Sequence, residues 1–201
     1  MTRRPRTMAV LMILLGAAVG VISSTQTWLT VTLASIESEE LSVAGADALP
    51  LLAPLSLAAL ALGAALTIVG RVLVYVFGVI TAAVGAILAA ASVRIAANAP
   101  VESVASTVTD ATGITGLVAV GDLVADAAPT VWPGVTVAAA VLITASGVFT
   151  LATAHRWAGA GRRYRSASAS EDASGAGRDP SRPRDAIDSW DDLSRGEDPT
   201  N

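Results

Sequence analysis

Long apolar runs that are almost free of charge are the dominant feature of this sequence. From Met8 to Ile36 no residue is charged, and from Leu51 to Val93 the only charged residue is Arg71. A helix needs about 20 consecutive, mainly apolar residues to cross a bilayer core of about 30 Å. The sequence therefore predicts an integral membrane protein.

The second run is too long for one span. A continuous helix from Leu51 to Val93 would measure about 65 Å, twice the thickness of the bilayer core. The chain must therefore fold back, and Gly70-Arg71 is the natural turn. Pro50 and Pro133 stand where helices are expected to begin, because a missing backbone N–H costs little in a first turn.

Four spans are predicted, at residues 8–28, 50–69, 72–95 and 131–155. The expected fold is an all-α membrane protein: a four-helix transmembrane bundle with a small outer β-hairpin between helices 1 and 2 and a disordered C-terminal tail. A signal peptide is the alternative for the first span, because RRPR precedes the apolar run. The following SSTQTW is, however, a poor cleavage site.

Arginine indicates the orientation. All 13 basic residues are Arg, which together with abundant Ala, Gly and Val indicates a bacterial genome of high GC content. Arg occurs in residues 1–7, in the turn at residue 71 and after the fourth span. Because cytoplasmic loops carry an excess of basic residues, both termini are predicted to be cytoplasmic in a multi-pass protein of the bacterial plasma membrane. Residues 29–49 and 96–130, which contain acidic residues and no Arg, are then outer loops.

The outer loops are expected to fold. Alternating Thr and apolar residues from Trp28 to Leu33 predict a β-hairpin in the first loop. Valines at helix-like spacing predict short amphipathic helices in the second loop, interrupted at Gly113 and Gly116. The order of the elements resembles the claudin-type arrangement, which by itself implies no function.

Chemically active residue types are scarce. The chain has no Cys and one His, which excludes disulfides, thiolate metal sites and His clusters. His155 has no Ser–Asp arrangement around it, and the spans contain no Asp, Glu, Lys, Arg or His before Arg94, which argues against an ion-driven pump. We predict that the protein is not an enzyme and has no catalytic, cofactor-binding or metal-binding residue. The minor alternative is a membrane enzyme that uses Glu39, Glu40 or Asp47 as general acid or base.

Aromatic and basic residues predict where the chain meets the membrane surface. Residues 156–165 form a basic segment after the fourth span, which is expected to bind anionic lipid and not nucleic acid. Gly16 and Gly20 are expected to pack helices within the bundle, and homo-oligomerisation is left open. The predicted membrane-interface residues are Trp28, Trp132, Trp157, Tyr164, Arg156, Arg162, Arg163 and Arg165.

The C-terminal part differs in composition. Residues 166–184 are mainly Ser, Ala, Gly, Asp, Arg and Pro, which predicts a disordered linker. Residues 185–201 predict a short helical motif with Asp185 as its N-cap. Because so short a helix is marginal alone, the motif is predicted to dock a cytoplasmic protein, with an unstructured tail as the alternative. The predicted partner-docking residues are Ile187, Trp190, Leu193, Gly196, Glu197, Asp198 and Pro199.

Several motifs resemble a known family. They are WDDLSRGEDPT near the C-terminus, RWAGAGRRY after the fourth span, LSVAGADALPLLAPLSLAALALG before and within the second span, and QTW at the end of the first span. In these motifs the chain resembles the tryptophan biosynthesis-associated membrane proteins of high-GC bacteria over nearly its whole length. The resemblance implies an integral membrane protein encoded beside tryptophan-pathway genes, and it transfers no catalytic residue.

These observations lead to two expectations about function. The first is a non-enzymatic membrane accessory protein associated with tryptophan biosynthesis, which docks a cytoplasmic partner through its C-terminal motif. The alternative is a carrier or exporter of tryptophan or a related aromatic metabolite, for which so small a bundle would have to oligomerise. No cofactor is expected in either case.

Overall fold

The computed structural model describes residues 4–34 and 40–156. The predicted linker 166–184, the docking motif 185–201 and Glu39 lie outside these residues, as do Trp157, Tyr164, Arg162, Arg163 and Arg165.

Three of the described helices are long and apolar enough to cross a membrane. They are α1 (Arg4–Ser24), α4 (Arg71–Asn98) and α7 (Trp132–Thr153). In a bilayer a helix satisfies its own backbone hydrogen bonds, so these mainly apolar helices need no further partner for their polar backbone. A shorter apolar helix, α3 (Leu52–Ala65), occupies the segment predicted as the second span. Its 14 residues measure about 21 Å, and turn-type hydrogen bonds continue from it to Val69.

The apolar helices pack side by side, with α1 against both α3 and α7, and α7 also against α4. Glycine permits the closest contacts. A Cβ atom at Gly147 of α7 would lie 2.8 Å from the Cα of Ala82, and one at Gly85 of α4 would lie 2.6 Å from the backbone N of Thr144. The helix backbones therefore touch, as small residues allow in membrane helices.

A three-stranded antiparallel sheet follows α1 and precedes α7. Its strands are β1 (Thr27–Leu33), β2 (Glu40–Ala44) and β3 (Val124–Pro129), with β1 in the centre. We call the end of the helices that carries this sheet the sheet end. The predicted hairpin corresponds to β1 and β2, but the prediction was incomplete because β3 pairs with the other edge of β1. Ala, Asp and Pro in β3 have little strand preference, so pairing with β1 determines its form.

Short helices connect these elements. They are α2 (Gly45–Ala48), α5 (Ala105–Thr112), α6 (Leu117–Leu123) and single 3-10 turns at Val101–Ser103 and Ala154–Arg156. Val104, Val108 and Val120 are almost fully buried in the same core cluster as the inner residues of the sheet. A second core cluster, which includes Leu66, Val74 and Ala154, lies at the opposite end of the helices, which we call the turn end.

Candidate functional site

Trp28 is the largest fully buried side chain of the described residues, and it joins the helices to the sheet. Its indole N–H donates to the carbonyl O of Ser23 at 3.1 Å and lies 3.0 Å from the Oγ of the same residue. The Oγ of Ser23 lies 2.6 Å from the Oγ1 of Thr136 in α7. One hydrogen-bonded group therefore connects the end of α1, the start of β1 and the first turns of α7.

Gly45 completes this junction. A Cβ atom at Gly45 would lie 2.6 Å from the Nε1 of Trp28 and 2.6 Å from the carbonyl O of Ser23. A residue with a side chain does not fit there without displacing the indole. Sequence reasoning missed the functions of Ser23, Gly45 and Thr136, because Ser23 and Thr136 are 113 positions apart and such a contact leaves no local pattern.

The predicted membrane-interface residues have different positions in the structure. Trp28 is enclosed by protein, whereas Trp132 is half-buried at the first residue of α7. Arg156 is the last residue of the final 3-10 turn. The remaining interface residues and all predicted docking residues lie outside the described ones.

At the turn end, Arg6 contacts the C-terminus of α3. Its Nε donates to the carbonyl O of Leu66 at 2.9 Å, and its Nη2 donates to the same oxygen at 2.5 Å and to that of Val69 at 3.4 Å. The last carbonyl groups of a helix have no partner within it and carry partial negative charge. Arg6 therefore caps α3, a function that its place in a basic N-terminus did not reveal.

Two of the acidic residues considered for catalysis lie among the described residues, at opposite ends of β2. Glu40 begins β2 and pairs with Thr32, whereas Asp47 follows the other end of β2 in α2. At about 3.4 Å per residue, the strand from Glu40 to Ala44 is itself roughly 14 Å long. In the part of the chain that the structure describes, no group of three or more His, Asp and Glu residues could hold a metal ion.

One surface feature was not predicted to have a function. Every residue from 113 to 119 is exposed and uncharged, and we call this stretch, GITGLVA, the apolar loop. Ile114, Leu117 and Val118 are 40%, 53% and 80% exposed. The loop lies outside the helices that could span the membrane, for which an exposed apolar surface is expected.

Comparison with known proteins gave one match. Residues 10–200 match a protein family described as tryptophan-associated transmembrane protein. The matched range includes the second and third candidate spans and most of the first, and it extends through the C-terminal residues. No curated protein and no solved structure matched the chain.

Proposed function

Because the chain belongs to the family of tryptophan-associated transmembrane proteins, we propose that it is a non-enzymatic membrane accessory protein of tryptophan biosynthesis. In this proposal, residues 185–201 hold a cytoplasmic partner at the membrane. The amphipathic spacing of Ile187, Trp190 and Leu193 supports a docking helix of the kind that orders on a partner surface. The Ser-, Gly- and Pro-containing segment 166–184 is suited to a linker that gives the motif reach.

The proposal includes four spans, with α3 as the shortest. From Leu52 to Val69 the helix and its following turn would cover about 27 Å, close to the thickness of a bilayer core. The turn end then faces the cytoplasm, in agreement with the Arg residues in the N-terminal segment, at position 71 and after α7. Both chain termini lie on that side in this arrangement.

The observation that carries the accessory function is the close packing of the spans. Contacts at Gly16, Gly85 and Gly147 place neighbouring helices in direct contact, and the bonded pair Ser23–Thr136 fixes α1 to α7 at the sheet end. Helices held together in this way are better suited to a fixed membrane anchor than to a carrier, which must open for each substrate.

Crosslinking in intact membranes tests the docking function. The full-length protein and a chain ending at Pro183 are crosslinked and purified, and their partners are identified by mass spectrometry. Trp190→Ala is compared with the matched Trp157→Ala, which changes a Trp outside the motif. We expect the truncation and Trp190→Ala to lose one tryptophan-pathway enzyme that Trp157→Ala retains. An unchanged set of partners in both motif variants would contradict the docking function.

Buried hydroxyl groups favour a second candidate, a carrier or exporter of tryptophan or a related aromatic metabolite. Ser56 and Thr81 lie in α3 and α4, fully buried, and their hydroxyls have no hydrogen-bond partner; the same holds for Ser92 of α4. An unpaired buried hydroxyl is costly, and the polar groups of a passing substrate would satisfy it.

The test of the carrier function is the export of tryptophan, indole and anthranilate from cells with and without the protein. The carrier function predicts faster export with the wild-type protein than with Ser56→Ala/Thr81→Val/Ser92→Ala, whereas equal export with and without the protein would exclude it.

A further inference from the structure

We propose that the apolar loop, residues 113–119, inserts into the lipid beside the sheet end of the helices. The sheet and its short helices would then contact the membrane through this loop as well as through their connections to the spans. The inference requires only that the spans cross a membrane, and it is independent of the docking function.

The composition and exposure of the loop indicate an apolar environment. Its three large side chains, those of Ile114, Leu117 and Val118, are all exposed. The nearest charged residues, Asp110 and Asp122, lie outside the loop on either side. Exposed apolar groups that cluster in this way mark contacts with membranes or partners.

The loop has a defined conformation. Gly113 and Gly116 adopt positive φ angles of 73° and 102°, which glycine adopts without strain. The Oγ1 of Thr109 donates to the carbonyl O of Ile114 at 2.9 Å, and the backbone N of Ile114 donates to the Oγ1 of Thr112 at 3.2 Å. The apolar side chains are therefore presented by an ordered turn, which lowers the entropy lost on binding.

The direction of α6 places the loop towards the spans. The helix ends at the far end of β1, where the backbone N of Ala34 donates to the carbonyl O of Leu123 at 2.9 Å. A Cβ atom at its Gly121 would lie 3.7 Å from the Cγ2 of Val101, which follows the end of α4 after Ala99 and Pro100. The start of α6 therefore points back towards the ends of the spans, about one helical turn, or roughly 5.4 Å, beyond Gly121.

Lipid is the nearest apolar phase for this loop. Short connections join the sheet end to the spans at residues 25–26, 99–100 and 130–131. The sheet and its helices are thus held against the membrane surface and cannot move away from it. Apolar side chains at this boundary enter the region between headgroups and acyl chains, as those of interfacial helices do.

Spin labelling tests the insertion. The chain contains no cysteine, so Val118→Cys in the full-length protein carries one nitroxide label. The protein is reconstituted at one copy per nanodisc of phosphatidylcholine and phosphatidylglycerol. The accessibility of the label to molecular oxygen, which concentrates in lipid, is compared with its accessibility to nickel ethylenediaminediacetate, which stays in water. Val79→Cys on the exposed face of α4 is the lipid control, and Asp126→Cys on the exposed face of β3 is the aqueous control.

The expected result is a label at position 118 that is more accessible to oxygen than to nickel, as at position 79, with the reverse at position 126. Ile114→Cys provides a second label on the loop and should give the same preference. A preference for nickel at both loop positions would overturn the proposal. Low accessibility to both reagents would place the loop against protein and would overturn it as well.

Discussion

Replacement of Gly147 by Ala tests how closely α7 and α4 must pack. The added Cβ would lie 2.5 Å from the backbone N of Ala82, 2.8 Å from its Cα and 2.9 Å from its Cβ. Non-bonded carbon atoms are most stable at about 3.5–4.0 Å, so the helices must separate by roughly 1 Å, a gap that removes about a quarter to a half of the attraction between facing atoms. Overpacking of this kind costs about 1–3 kcal/mol.

Gly134 provides a control within the same helix, because a Cβ atom there would have nothing within 4 Å. Ala is favoured over Gly in a helix interior by about 1 kcal/mol at most, so Gly134→Ala should be neutral or stabilising. The same preference offsets part of the steric cost at Gly147. The difference in unfolding free energy between the two variants therefore measures the steric cost, about 1–3 kcal/mol.

Unfolding in mixed micelles measures this difference. The full-length variants are titrated with sodium dodecyl sulfate, and unfolding is followed by tryptophan fluorescence. We expect the midpoint of Gly147→Ala to fall below that of the wild type, and the midpoint of Gly134→Ala to equal or exceed it. If Gly147→Ala is as stable as Gly134→Ala, the helices do not pack as closely as described.

Four further substitutions use the same unfolding assay. Arg6→Gln removes the cap of α3 and should cost about 1.5–3 kcal/mol, whereas Arg94→Gln breaks only the exposed ion pair with Glu102 and should cost less than about 1 kcal/mol; equal costs would argue against the cap. Trp28→Phe removes the donor to Ser23 and should destabilise the protein by about 1–3 kcal/mol, and unchanged stability would show that the bond is dispensable. Ala99→Gly relieves a left-handed φ of 38° and should stabilise by roughly 1 kcal/mol; a lower midpoint would contradict that strain.

Lipid imposes requirements that can be recognised in a sequence. The uncharged runs predicted long apolar helices, and the structure contains three with the length of a span, α1, α4 and α7. The alternation after Trp28 predicted a strand pair, because a half-buried strand repeats every two residues. These features were predictable because each depends on residues that are close together in the chain.

The remaining features depend on distant contacts. The spacing of the valines in the second outer loop predicted helices, but β3 begins at one of them, Val124, because β1 offers an open edge there. From the sequence, Trp28 was predicted to lie at the membrane interface. In the structure it is buried, because Gly45 leaves room for the indole ring and Ser23 accepts a hydrogen bond from its N–H. The exposed position of the apolar loop likewise follows from the packing of α6, which local spacing does not reveal.

The central position of β1 has a consequence for the synthesis of the chain. β1 and β2 are neighbours in sequence and can pair early, but the other edge of β1 has no partner until β3 has been made, after α3, α4 and the short helices. An unpaired strand edge readily binds the strands of other chains, and a contact between distant segments forms slowly. Chains whose synthesis stops before Val124 therefore keep the edge of their central strand exposed and are more prone to aggregate than the complete protein.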